Sequence, residues 1–193
     1  MSSQLSVSPR QGLNPRQAET AERLLAAGAE ELAAVGHDAL TIRTVAQRAG
    51  VSPATAYTYL ASKNHLFAEL FWRYLVDDAE REPVGETAVA RVQSVTRHLA
   101  ARLAQAPALA AAVTPALLGS DPDVERLRLR IGAEVVDRFA TALGADAPPA
   151  LVEAVTLAFF GALLQCGMGL LTYDELAVRL DDVVAVIMND NVR

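Results

Sequence analysis

Alanine occupies 37 of the 193 positions, and no stretch of useful length alternates apolar with polar side chains. Alanine loses no side-chain entropy on entering a helix, and the aromatic residues that favour strands reach only 5%. Together these features confine the chain to helices. Apolar residues total 52% and charged residues 21%, which is enough to build a core and too little charge for a disordered chain. The expected architecture is all-α, with about nine helices in one or two domains.

Caps and breakers divide the chain. Residues 1–12, with Pro9, Arg10 and Gly12, read as a flexible arm. Asn14-Pro15-Arg16-Gln17 opens the first helix: asparagine suits the N-cap, proline the first turn, and Gln17 completes a capping box. Leu24, Leu25, Gly28 and Leu32 then recur on one face, and Gly36 offers a left-handed end. A second helix runs from Thr41 to Ala49 and a third from Ser52-Pro53 to about Leu60. Ser62 caps a fourth, which carries Leu66, Phe67, Leu70 and Phe71 and stops near Glu82-Pro83. Five more are expected: 86–105, 107–118, from Ser120-Asp121-Pro122 to Gly144, 149–171, and a last one opened by Thr172-Tyr173-Asp174-Glu175. The expected division is an arm at 1–12, a three-helix unit at 13–61, and a helical domain at 62–193 whose first helix, 62–82, connects the two.

A net charge of −6 excludes a general nucleic-acid coat, but the charge is uneven. Residues 36–74 carry Arg43, Arg48, Lys63 and Arg73 against Asp38 and Glu69, a net +2, while 81–193 are net −4. The less acidic stretch contains two short helices around Gly50-Val51-Ser52. Ala46 is small enough for the next helix to cross closely. Gly50 takes a turn that a side chain would resist, and Val51 plugs the space between the helices. Ser52 caps the second helix and leaves its N-terminus facing out, where its amides attract phosphate. A helix held this way fits the DNA major groove.

Residues 13–75 resemble the DNA-binding region of the TetR family of bacterial one-component regulators. The resemblance rests on Thr41-x-x-x-Val45-Ala46-x-x-Ala49-Gly50-Val51-Ser52, on the Tyr57-x-Tyr59 pair, and on Ser62-Lys63-x-x-Leu66. It implies a helix-turn-helix domain on double-stranded operator DNA, followed by a ligand-binding and dimerisation domain. Thr41 and Thr44 would bond phosphates and Arg43 would reach the backbone or a base edge. Pro53, Ala54 and Thr55, behind the Ser52 cap, would face the groove, with Thr58 near bases. Tyr57 and Tyr59 would pack on sugar–phosphate, and Lys63, the chain's one lysine, would neutralise a phosphate. Arg10 or Arg16 would reach a neighbouring groove. The sequence departs from the family at Leu60, where phenylalanine is usual, and at Pro53-Ala54, where a Lys-Gly pair is common. No Arg or Lys lies between Ser52 and Leu60, so base preference there must come from Thr, Tyr, thymine-methyl contacts and DNA shape.

The expected function is a homodimeric regulator, a repressor that leaves its operator when a small apolar or amphipathic effector binds. Helical faces place the effector cavity among Trp72, Val92, Thr96, Leu99, Val113, Leu117, Ile131, Val135, Phe159 and Leu163. A polar end of the ligand would sit near Arg97, Arg102 or Arg126. The last two helices, through Leu163, Leu176, Leu180, Val183, Val184 and Ile187, would form the dimer interface. The alternatives are a DNA-binding protein without effector and an all-α enzyme, but no nucleophile–base pair assembles from the sequence. Arg48 reads as an ion-pairing residue. His37-Asp38 lacks the further ligands a metal would need, and no cofactor is implied. Cys166 reads as a small buried apolar side chain. Residues 154–173 carry no charge and have the length of a membrane span. The flanking acids, missing Arg/Lys anchors and internal glycines instead suggest a helix buried on all sides, one side against a partner subunit and the other against a ligand cavity, in a protein expected in the cytoplasm.

Overall fold

A computed structural model describes residues 14–77 and 82–189. Its order is α1 (Pro15–Ala39), α2 (Ile42–Arg48), α3 (Pro53–Tyr59), α4 (Lys63–Val76), α5 (Ala88–Gln105), α6 (Pro107–Leu118), α7 (Pro122–Leu143), α8 (Pro149–Gly167) and α9 (Tyr173–Asn189), with no strand among the described residues. The caps explain the boundaries. Asn14 and Gln17 form a reciprocal capping box, as do Thr41 and Thr44. Ser52, Ser62, Thr87 and Asp121 each accept a backbone N–H from the following first turn. Gly36 departs from helical geometry at φ 75°, so the last residues of α1 turn away from its axis. The α2–α3 turn requires Gly50 at φ 67°.

Two helices end earlier than the breakers alone indicate. The fourth, expected to 82, closes at Val76 with Asp77 as its C-cap. The eighth, expected to 171, closes at Gly167. Gly169 turns left-handed and the Leu170 N–H returns to the Gln165 carbonyl, which satisfies the helix end before the charged capping box begins. The arm at 1–12, including Arg10, and residues 78–81 of the expected connecting helix lie outside the described residues.

Two main cores form. One joins Leu24, Leu25, Leu32, Leu40, Ile42, Val45 and Leu60 of the first three helices to Leu66, Phe67 and Leu70 of α4. The other joins α4 through Phe71 and Leu75 to α5–α9, around Val92, Ile131, Phe139, Val155, Phe159, Leu176 and Val184. The helix read from sequence as a connector is thus shared: its first half belongs to the head and its second half to the larger domain. α6 is shared too, with Ala112 and Ala116 in the first core and Ala110 and Val113 in the second. Gly28 lets α1 lie against α4, because a Cβ there would stand 2.7 Å from Leu66 Cδ1. The Glu22–Arg73 ion pair, at 2.6 Å, joins the same two helices at the surface.

Candidate DNA interface and effector cavity

The expected DNA-facing residues lie on and around α2 and α3, most of them at the surface. Pro53, Ala54, Tyr57 and Thr58 of α3 are exposed, Thr55 is half-buried, and Arg43 stands exposed on α2. Tyr57 is 57% exposed, while Tyr59 packs against the head core, as two positions about 200° apart on a helix require. The hydroxyls of Thr41 and Thr44 serve the α2 capping box, with the Thr44 hydroxyl donating to the Thr41 carbonyl at 2.8 Å. Ser52 Oγ likewise accepts the Thr55 N–H at 3.1 Å. Arg48 is tied by an ion pair to Glu31 at 2.7 Å, and its hydrogen bond holds the Glu31 carboxyl below the usual carboxylate range.

Lys63 has partners within the head. Its ammonium donates to the carbonyls of His37 (2.9 Å) and Asp38 (3.4 Å) at the end of α1, so holding the head together is its first task in the free protein. A helix C-terminus presents unpaired carbonyls with partial negative charge, which attract the cation. Two of the ammonium's three N–H groups are used in this way.

A link that neither motif nor periodicity indicates joins the head to the larger domain. The Ser62 hydroxyl donates to Asp121 Oδ2 at 2.6 Å while its oxygen accepts the His65 N–H at 2.9 Å. Asp121 caps α7 through its other oxygen, which accepts the Asp123 N–H at 3.0 Å. The Ser62 hydroxyl, with help from the Asp123 amide, holds the Asp121 carboxyl below its usual range. The caps of α4 and α7 were each legible in sequence, but their pairing across 59 positions was not.

A cavity of about 620 Å³ lies within the larger domain, walled by residues of α4 to α9. Leu99, Val113, Leu117, Ile131, Val135, Phe159 and Leu163 line it, as the helical faces predicted. Trp72, Val92 and Thr96 do not. The Trp72 ring lies against the Arg130 guanidinium at 4.1 Å and packs beside Val124 and Leu127. Val92 is fully enclosed by the core, and the buried Thr96 hydroxyl donates to the Gln93 carbonyl at 3.0 Å. These side chains share the inward side of their helices but are consumed by packing. The lining also contains Phe71, Tyr74, Thr114 and Tyr173, together with two cations, Arg102 and Arg128. Of the arginines expected near a ligand's polar end, Arg102 lines the cavity. Arg97 instead pairs with Asp181 at 2.8 Å, and Arg126 points to solvent two positions before Arg128.

The expected dimer stripe is also corrected. Leu176, Leu180 and Val184 are at most 2% exposed and belong to the subunit's own core, with Ile187 packed against it. Leu163 lines the cavity, and Val183 stays 41% exposed. An amphipathic stripe fills the nearest core first, and α9 spends its stripe against α5 and α8. The unpartnered apolar face lies elsewhere: Leu157, Phe160 and Leu164 of α8, which also line the cavity, lead to Met168 at its C-cap, with Val178 and Val186 exposed on α9. Within the subunit α8, expected to lie between a partner subunit and the cavity, is covered on one side, through Leu151, Val155, Phe159 and Ala162. Cys166 is half-buried, and burial raises its thiol pKa. Among the described residues no group of three His, Cys, Asp or Glu stands close enough to hold a metal.

An exposed α3 on a small three-helix head, joined through a shared helix to a cavity-bearing helical domain, defines a helix-turn-helix regulator. The family profile described as "Bacterial regulatory proteins, tetR family" matches residues 24–70. The chain is 46% identical over 177 residues, 91% of this chain and 83% of the other, to the HTH-type transcriptional regulator Rv0767c of Mycobacterium tuberculosis. The protein belongs to the TetR family. It is also 24% identical over 184 residues, 92% of this chain and 86% of the other, to the HTH-type transcriptional repressor KstR of Rhodococcus jostii. Its fold matches a TetR transcriptional regulator from Rhodococcus sp. RHA1 with a TM-score of 0.77 at 20% identity, covering 92% of this chain and 99% of that one. It matches the repressor FadR of Thermus thermophilus, solved with lauroyl-CoA, with a TM-score of 0.68 at 17% identity, covering 90% and 95% of the two chains.

Proposed function

We propose that this TetR-family regulator is a homodimeric repressor that leaves its operator when a largely apolar molecule fills the cavity. The carrying observation is the sharing of α4. Phe71, Tyr74 and Leu75 line the cavity, while Leu66, Phe67 and Leu70 of the same helix sit in the head core. A ligand that shifts the second half of α4 therefore shifts the head. The proposed functional division is the head at 13–61 and the effector and dimer domain at 62–193. Two heads meet successive major-groove faces only when about 34–36 Å apart, or a multiple of it, so a modest swing spoils the fit. The repressor KstR and the lauroyl-CoA complex of FadR support the reading.

The second subunit would cover the α8 stripe of Leu157, Phe160, Leu164 and Met168, which a lone subunit leaves in water. On DNA, Arg43, Pro53, Ala54, Thr55, Tyr57 and Thr58 would face the duplex, with Thr41, Thr44, Ser52, Tyr59 and Lys63 supporting the phosphate contacts. The work of such a protein is binding rather than catalysis, and its place is with the DNA in the cytoplasm.

The test is a paired measurement on the full-length protein with a labelled operator fragment taken from upstream of its own gene. Across a panel of lipophilic compounds, one that raises the melting temperature of the free dimer is expected to weaken operator binding, as linkage demands. A compound that fills the cavity and leaves operator affinity unchanged is no inducer. If every cavity-filling compound behaved so, the induction reading would fall.

A further inference from the structure

The cavity wall has an asymmetry of charge. Its lining includes two arginines, Arg102 and Arg128, and no aspartate or glutamate. Arg128 donates from Nε to the Leu117 carbonyl at 2.6 Å and from Nη2 to the Gly119 carbonyl at 2.5 Å. Those are neutral partners, and two donors of five. No carboxylate among the described residues pairs with it. Neutral carbonyls satisfy hydrogen-bond geometry but do not neutralise a charge beside an apolar space, where the field of an ion is poorly screened. The rest of the lining is mostly aliphatic and aromatic. Such a chamber selects a molecule that is apolar over most of its length and negative at one end.

On the reading of the cavity as an effector site, we propose that the effector is a lipophilic acid whose anionic head is taken by Arg128. The position of Arg128 gives that contact a consequence. The carbonyls it now holds close the C-terminal end of α6, at Leu117 and Gly119. Two residues further on, Asp121 grips Ser62 at the start of α4. An anion competes for the same guanidinium with a stronger, charge-assisted bond. Drawing Arg128 off the carbonyls slackens residues 117–121, and the Asp121–Ser62 link that braces the head loosens with them. The acidic head is thus the part of the effector that the operator senses, and the apolar body supplies affinity.

The experiment compares three probes of one chain length, dodecanoate, dodecanol and dodecylamine, on the full-length dimer by displacement of a lipophilic fluorophore. Dodecanoate is expected to bind about tenfold or more tighter than dodecanol, with dodecylamine weakest. Arg128→Gln removes the advantage of dodecanoate and leaves dodecanol within about twofold. Arg126→Gln, on an exposed side chain, preserves it. Arg128→Lys keeps the charge without the planar fork, so a reduced preference for the acid persists; this variant, with the wild-type dodecylamine comparison, carries the test if Arg128→Gln does not fold. At matched occupancy dodecanoate is expected to release the operator and dodecanol to release it less. Equal binding of acid and alcohol, a preference that survives Arg128→Gln, or equal release at equal occupancy would overturn this proposal and leave the apolar effector cavity standing. If none of the three probes binds, both readings fail.

Discussion

Leu157→Asp is the sharpest test of how two subunits meet. Leu157 sits on α8 with 65% of its surface open in the lone subunit. Complete burial of a leucine stabilises by about 1.5–3 kcal/mol, so covering the remaining two thirds contributes roughly 1–2 kcal/mol per copy. A two-fold interface counts the residue twice, about 2–4 kcal/mol in all, which is a weakening of roughly 30- to 700-fold in dimer dissociation constant. The two introduced carboxylates, desolvated at the interface, add to that loss. Leu129 on α7 is 69% exposed and lies off the α8 stripe. Leu129→Asp therefore has the same cost in helix propensity and none of the interface effect. Sedimentation equilibrium of both variants, with circular dichroism to confirm the fold, measures the difference. A Leu157→Asp protein that dimerises as tightly as Leu129→Asp would show that α8 does not face the partner.

Other outcomes follow from the same contacts. Val184→Asp places a carboxylate at a position that is 0% exposed, so it should unfold the subunit, whereas Val186→Asp, at 75% exposure, should leave the fold intact; thermal melting separates them. Tyr57→Ala should weaken operator binding without lowering the melting temperature, and a lost fold would place Tyr57 in the core. Lys63→Ala should cost about 1 kcal/mol in urea denaturation by freeing the carbonyls of α1, as well as making operator binding less salt-sensitive. A salt slope unchanged by Lys63→Ala would restrict the residue to bracing. The depressed Asp121 carboxyl binds its proton less readily folded than unfolded. Its contribution to stability is therefore complete above the ordinary aspartate range, near pH 4, and fades as pH falls through its lower folded value. Asp121→Asn should flatten that acid limb of the stability–pH curve.

Much of this protein is local, and what is local was readable. A helix start needs little more than a capping oxygen in the right place, backed at Asn14, Ser52 and Asp121 by a proline just after it, so Asn14, Thr41, Ser52, Ser62 and Asp121 announced their helices correctly. The turn at Gly50 and the exposure of α3 follow from a few adjacent residues, and that is why the DNA-binding head could be recognised in the chain. Periodicity shows that a helix has an inner face, and seven of the ten expected cavity residues lie on the wall for that reason. Periodicity cannot say what the inner face meets. Trp72, Val92 and Thr96 share inward faces with true lining residues and are absorbed by neighbouring side chains. The stripe of α9 looked like an interface and is the subunit's own core, while α8, apolar all round, had no stripe to read and carries the open face. Lys63 on the α1 carbonyls, Arg128 on the end of α6 and Ser62 on Asp121 are meetings of side chains with partners 26, 11 and 59 positions away. Such distances close only when the helices pack, because the angle and offset of one helix on another come from the fit of whole surfaces and not from any short run of residues.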